Sequence, residues 1–263
     1  MKPALAFPFN DPDGTMFHHM QAILLDLKTH FEQAYLCPPF STRQHIEHLQ
    51  QLQTDRLFKI FPIDREREIG KHFHFLYQHA AEAAPPAQII HLCYLDRLAF
   101  ALESEYRQAF LADMDSLTAS DVPIIFQRSE FAWATHPQNY RELEGIVTIL
   151  GNNLFDRQLD FAWCHIAATA GQLRKIMPFV KNPDLSMVAE MIFYLREEIK
   201  TREVDWLAWE DPFILSREAA GLKQEREHSL DETNKRLRYV LPMIETLTRL
   251  SKSGRKQECP VSV

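Results

Sequence analysis

Apolar and polar positions alternate along this chain in short blocks that switch between two periods. Residues 4–9 form an apolar run closed by Asn10-Asp11-Pro12-Asp13-Gly14, a turn composition, and so read as a strand. Met16, Met20, Ile23, Leu24 and Leu27 then recur at helical spacing. Ala34–Cys37 is a second strand stopped by Pro38-Pro39, and Ser41 or Thr42 caps a surface helix with few apolar positions (Ile46, Leu49, Leu52). Leu57–Phe61 is a third strand ending at Pro62-Ile63-Asp64-Arg65, followed by a helix with Phe73, Leu76, Tyr77 and Ala80 on one face. Pro85-Pro86 ends that helix, and a fourth strand runs from Ile89 to Asp96.

Four strands alternating with three helices predict a mainly parallel sheet with right-handed crossovers. Beyond it the pattern predicts a strand over 122–128, a helix over 139–154 and a strand over 159–168. Helices over 170–181 and 185–200 follow, then a strand-like run Val204–Trp209 and one charged helix over 216–251. The expected fold is α/β and Rossmann-like: a domain over 1–215, a helical extension over 216–251 packed on it, and a disordered polar tail over 252–263. The face Lys223–His228 reads as solvated, and the long helix offers a surface through which two copies could associate.

Composition narrows the function classes. A net charge of -7 argues against general affinity for nucleic acid, which needs a basic face. No run approaches the roughly 20 apolar residues of a membrane span, and the early acidic residues after Phe7 do not suit a signal peptide, so the expected compartment is the cytoplasm. Cys37, Cys93, Cys164 and Cys259 form no CxxC pair, which disfavours a disulfide framework or structural zinc. With only 7 glycines the chain carries neither GxGxxG nor a P-loop. His18-His19 and His72/His74 are closely spaced but lack the HExxH pattern, and read as surface or filler positions.

Chemistry gathers after the strands. Tyr94-Leu95-Asp96-Arg97 ends the fourth strand, Glu210-Asp211 follows the aromatic run with Trp206 and Trp209, and Arg128 to Pro137 is dense in groups that bind phosphate or hydroxyls. Tyr94–Arg97 resembles the DxD region of GT-A-fold nucleotide-diphosphosugar glycosyltransferases, and Glu210-Asp211 resembles their later acidic motif. Arg128–Pro137 is similar to a segment of bacterial glycosyltransferase-like proteins. In architecture the resemblance covers about residues 4–215. It implies a GT-A type sheet, a nucleotide-sugar donor and an unidentified acceptor. It also implies roles for residues of this chain: Phe9, Asn10, Asp11 and Asp64 as nucleoside contacts, and Arg97, Arg128 and His136 on the diphosphate. Asp96 would ligate Mn²⁺ or Mg²⁺, and Glu210 or Asp211 would act as the base. Tyr94 stands where the first acidic residue of DxD would be, so only Asp96 carries over as a metal ligand.

Other readings stand beside this one. Asp96 can cap the following helix or pair with Arg97, His136 before Pro137 can be structural, and Glu142 and Glu144 can complement a helix dipole. The whole chain can be a non-catalytic binding or scaffold protein on a degenerate form of the same fold. Asp11-Pro12-Asp13-Gly14-Thr15 resembles the first motif of haloacid-dehalogenase-like phosphatases, which implies Asp11 as nucleophile and Asp13 as acid/base; its plainer reading is a turn and helix cap.

Overall fold

A computed structural model describes residues 1–254 except 40, 41, 43–45, 63, 64, 157 and 162–164. Seven strands form one mixed sheet: β1 (Ala4–Pro8), β2 (Ala34–Cys37), β3 (Phe58–Ile60), β4 (Ile89–Leu92), β5 (Ile124–Arg128), β6 (Ile166–Thr169) and β7 (Lys200–Val204). Their spatial order is β3-β2-β1-β4-β6-β5-β7. The β1–β2, β2–β3, β1–β4 and β5–β7 pairs are parallel, while β6 runs antiparallel to both β4 and β5. The expected α/β fold with a mainly parallel sheet is therefore observed.

The first half winds outward and then reverses. Helices α1 (Thr15–His30) and α2 (Ile46–Gln53) carry the chain from β1 to β2 to β3; α3 (Ile69–Ala83) brings it back past β1 to β4. Right-handed crossovers require the returning helix to lie on the opposite face. The two hydrophobic cores show this: Phe17, Met20, Ile23 and Leu27 of α1 pack with Leu5 and Phe7, whereas Phe73, Leu76 and Tyr77 of α3 pack with Ala4 and Ala6. Period-two alternation along β1 thus feeds both faces of the sheet.

The remaining helices complete the two layers. On the α1 side lie α4 (Leu95–Glu103) and α5 (Arg107–Asp115), through Leu98, Leu102, Phe110 and Met114. Two helices, α6 (Glu130–Thr135) and α7 (Gln138–Phe155), separate β5 from β6; α8 (Ala170–Ile176) and α9 (Met187–Leu195) separate β6 from β7. The chain ends with α10 (Asp211–Ile214), α11 (Ala219–Glu227) and α12 (Leu230–Gly254). Val240, Met243 and Leu247 of α12 enter the same core as α3, α8 and α9. At its start, α3 sits tightly on the loop before α9: a Cβ at Gly70 would lie 2.1 Å from the Asp184 carbonyl oxygen.

Several element boundaries differ from the sequence pattern. β4 stops at Leu92, and Asp96 lies in the first turn of α4, a helix the apolar run before it conceals. The last strand is Lys200–Val204, not Val204–Trp209. Its polar residues suit an edge strand, while Trp206 and Leu207 turn inward to the core. Among the described residues of the run 159–168, strand begins at Ile166, in β6, and α9 stops at Leu195. The predicted helix over 216–251 is two helices, broken at His228-Ser229. No helix among the described residues is long and apolar enough to cross a membrane.

Candidate functional site

β1 lies between β2 and β4, and the crossovers from β1 and to β4 run on opposite faces. Such a reversal leaves a crevice at the carboxyl ends of the strands, where open α/β sheets bind ligands. A cleft of about 1010 Å³ opens there. Its floor is formed by Asn10 and Asp13 after β1, Tyr94, Asp96 and Arg97 after β4, and Glu210 and Asp211 at the start of α10. The rest of its lining comes from the start of α3 and from α7, α9 and α12. Residues separated by two hundred positions in sequence thus meet in one cavity.

Arg97 is the centre of the floor. Its side chain is buried, with Nη1 donating to the Ala208 carbonyl at 3.0 Å and lying 2.6 Å from Glu210 Oε2. Asp96 accepts the Arg97 backbone N–H at 2.8 Å and is partly open to the cleft. Burial raises the Asp96 carboxyl above its ordinary range, against the opposing pull of Arg97. Burial also pushes Glu210 up to about 8, opposed by Arg97 and reinforced by Asp96 and Asp211. Asp96 and Glu210 share Arg97 while Asp211 pairs with Arg226, so it is burial first, and the neighbouring carboxyls second, that favours a held proton on Glu210. Asp211 is the more accessible of the adjacent pair: its side chain is 30% exposed against 8% for Glu210. It pairs with Arg226 of α11 at 3.6 Å, and Arg226 also meets Glu232 of α12. The carboxyl-terminal helices therefore hold Asp211 in place.

Other residues expected at the site serve the fold. Phe9 is fully buried in the α1-side core. Asp11 is also fully buried: Oδ1 accepts from Met16 N–H at 2.9 Å, and its own N–H donates to Thr42 Oγ1. That use as a loop staple takes it off the cleft wall, and it weighs against a nucleophilic role. Asp13 accepts the Thr15 N–H at 3.0 Å, the helix-start contact of a turn. Asp64 lies outside the described residues.

Arg128 does not line the cleft. Nε and Nη2 donate to the two Asp160 oxygens at 2.7 and 3.0 Å, and Nη1 donates to Glu144 Oε2 at 2.7 Å. The guanidinium also stacks 3.5 Å from the Trp133 ring centroid. A fork so occupied is an internal ion pair, set apart from the cleft lining where the diphosphate contact was expected. His136 is buried as well, with Nδ1–H donating to Ala132 O at 2.8 Å. Burial, then the charges of Arg128 and Arg97, hold it well below the ordinary histidine range and therefore neutral. It too stands away from the cleft lining.

The sequence reading missed the part of the lining that α7 and α12 supply. Glu144 is no mere dipole complement: buried, it bridges Arg128 to Arg236 of α12, whose Nη1 donates to Oε1 at 2.9 Å. Arg236 stacks 3.8 Å from the Tyr140 ring, and the Tyr140 hydroxyl donates to Glu232 at 2.5 Å. Arg65, Arg67, Lys235 and Tyr239 complete this side. The available signal was the i,i+4 spacing of Lys235-Tyr239 and Arg236-Val240, which sets a mixed face on one helix. His72, read as a surface or filler position, is buried beside the cleft and donates from Nε2–H to Cys37 O at 3.0 Å.

The donor set does not form a resident metal cage: among the described residues no three His, Cys, Asp or Glu side chains converge for a cation. Asp96 fits a different mode, in which one or two carboxylates share a hard cation with phosphate oxygens and water. No protein-family model, curated protein or solved structure matches this chain.

Proposed function

We propose that the cleft is the donor site of a glycosyltransferase that moves a sugar from a nucleotide-diphosphosugar to an acceptor hydroxyl. The observation that carries this reading is the meeting of Asn10, Asp96-Arg97 and Glu210-Asp211 in one switch-point cleft. These are among the residues for which the resemblance to GT-A-fold enzymes implies donor and base roles, and they converge although they arise from three separate segments. The reversal of the sheet at β1 and the antiparallel β6 are compatible with that fold.

In this reading Asn10 meets the nucleoside, and Arg97 faces the diphosphate. Asp96 would help hold a divalent cation bound with the phosphates, which would supply Lewis-acid neutralisation of the leaving group. Asp211 accepts the proton of the acceptor hydroxyl, whose oxygen bonds to the anomeric carbon as the bond to the diphosphate breaks. The departing nucleoside diphosphate takes the electron pair. Glu210 acts through Arg97, fixing its guanidinium. Transfer assays on Asp96→Ala and Asp211→Ala test these roles. Loss of turnover with a folded protein supports the assignment, and full turnover in both variants overturns it.

A second reading rests on the pairing inside the floor. Arg97 is tied to Glu210 and Ala208, and Tyr94 fills a position where a second ligand carboxylate would serve a metal. Those features favour a non-catalytic nucleotide-binding protein on the same fold. It predicts nucleotide-sugar binding with no transfer or hydrolysis in wild type.

A further inference from the structure

One face of α12 is committed to the fold. Val240, Met243, Leu247 and Leu250 are buried, and Glu232 and Arg236 bind α7 and α11. The other face follows a seven-residue period. Leu230, Asn234, Leu237, Leu241, Ile244 and Thr248 alternate spacings of four and three, the pattern of a coiled-coil seam. Leu230 is 73% exposed and Leu241 53%, and Leu237 and Ile244 are partly exposed. Beside that seam Asp231, Arg238, Glu245 and Lys252 stand seven residues apart, all of them exposed. Such a spacing drifts by only about 20° per repeat on a straight helix, so the four charges keep to one side. Their signs alternate from negative to positive along the helix. Among the described residues none of the four forms an ion pair within the chain. Asp231 and Lys252 complement the helix dipole at its two ends, but that effect does not reach Arg238 and Glu245 in mid-helix.

We infer that this face of α12 pairs with the same face of a second copy of the chain, antiparallel about a two-fold axis beside Leu241. In a two-fold contact, residue i meets j and j meets i. Turned end for end, the charged stripe sets Asp231 against the partner's Lys252 and Arg238 against the partner's Glu245. Symmetry repeats each pair, so every contact along the stripe is attractive. A parallel pairing in register would oppose like charges at all four positions. Charges flanking a helix seam set partner choice and orientation in this way, while the apolar seam supplies the attraction. The stripe is its own complement, which is what selects a second copy over an unrelated helix. The pairing is independent of the transfer reading.

The test is sedimentation equilibrium of the full chain from about 1 μM to 1 mM. The inference expects a reversible dimer, at twice the 30.8 kDa of the chain. Leu241→Glu brings two carboxylates to the axis and leaves a monomer. Arg238→Glu faces the partner's Glu245 in both symmetric contacts and weakens association by about tenfold or more. Combining Arg238→Glu with Glu245→Arg exchanges the charges and restores association to within about threefold of wild type. Leu25→Ser, at a leucine of α1 that is 76% exposed, leaves the dimer unchanged. All the substituted side chains are exposed, and circular dichroism melting at low concentration checks that each variant folds. A chain that stays monomeric to the highest concentration overturns the inference. So does a dimer indifferent to Leu241→Glu and Arg238→Glu, which would have its interface elsewhere, or a charge exchange that fails to restore association, which would exclude the antiparallel register.

Discussion

Replacing Arg128 by Met is expected to destabilise the whole protein while leaving the cleft chemistry intact. The guanidinium is buried and makes three hydrogen bonds, two to Asp160 and one to Glu144, and it stacks on Trp133. Glu144 keeps Arg236 after the change, but Asp160, only 3% exposed, loses both of these bonds. Breaking a buried pair from one side costs about 3–5 kcal/mol, because a charge is left without compensation. That is a large part of the roughly 5–15 kcal/mol by which domains are stable. For a chain of this size each kcal/mol moves the thermal midpoint by about 2–4 °C, so a fall of roughly 6–20 °C is expected. Circular dichroism melting of the variant, and of Arg128→Met combined with Asp160→Leu, supplies the check. Removing both charges should recover much of the loss, since an apolar pair of similar size tolerates the site. A shift within about 2 °C for the single variant would refute the argument. So would loss of nucleotide-sugar affinity at an unchanged midpoint, because Arg128 would then be touching ligand.

Asp211→Asn should lower transfer by about 10²–10⁴-fold if the carboxylate is the base, read from initial rates at saturating acceptor; an unchanged rate removes it from that role. Glu210→Gln carries a pH signature. Its carboxyl, ordinarily near 4.5, is raised to about 8 in the fold, so the contribution it makes is fully present below about 4.5 and is lost as pH rises through 8. The Gln variant should therefore gain on wild type in denaturant midpoint between pH 5 and pH 8.5, and parallel pH profiles would count against the raised carboxyl. Gly70→Ala should cost about 1–3 kcal/mol, since its new methyl meets the Asp184 backbone; an unchanged urea midpoint would show that the α3–α9 contact yields freely.

The first half of the fold was legible because its strands are short, apolar and bounded by proline or turn residues. Ala34–Cys37 before Pro38-Pro39 is the clearest case, and each helix that follows buries one stripe. Legibility failed where burial and periodicity parted. The apolar block after Ile89 joins β4 to α4 without a break, so Asp96 looked like a strand end when it begins a helix. Lys200–Val204 is a polar edge strand, invisible beside the apolar Trp206–Trp209 that turns into the core.

Asn10, Asp96, Arg97, Glu210 and Asp211 were singled out because they follow strands or close the chain's return to the sheet, and they line one cleft. Arg128 follows a strand too, yet it points into an internal network, a distinction that depends on Asp160 and Glu144 and not on local sequence, while His136 turns back onto the Ala132 carbonyl. The α12 wall was missed for the complementary reason. Lys235, Arg236 and Tyr239 look like a solvated helix face until α7 and α9 fix which side of the helix meets the cleft.

The central claim is that the switch-point cleft binds a nucleotide-diphosphosugar. A thermal-shift series with UDP-, GDP- and ADP-sugars, each with and without Mn²⁺, tests it most directly. A ligand at a hundred times its dissociation constant stabilises the fold by about 2.7 kcal/mol, a shift of roughly 5–11 °C at this chain length. The account predicts such a shift for one nucleotide class, enlarged by the metal and abolished in Asp96→Ala. No shift across the panel, or a shift that Asp96→Ala leaves unchanged, would contradict it.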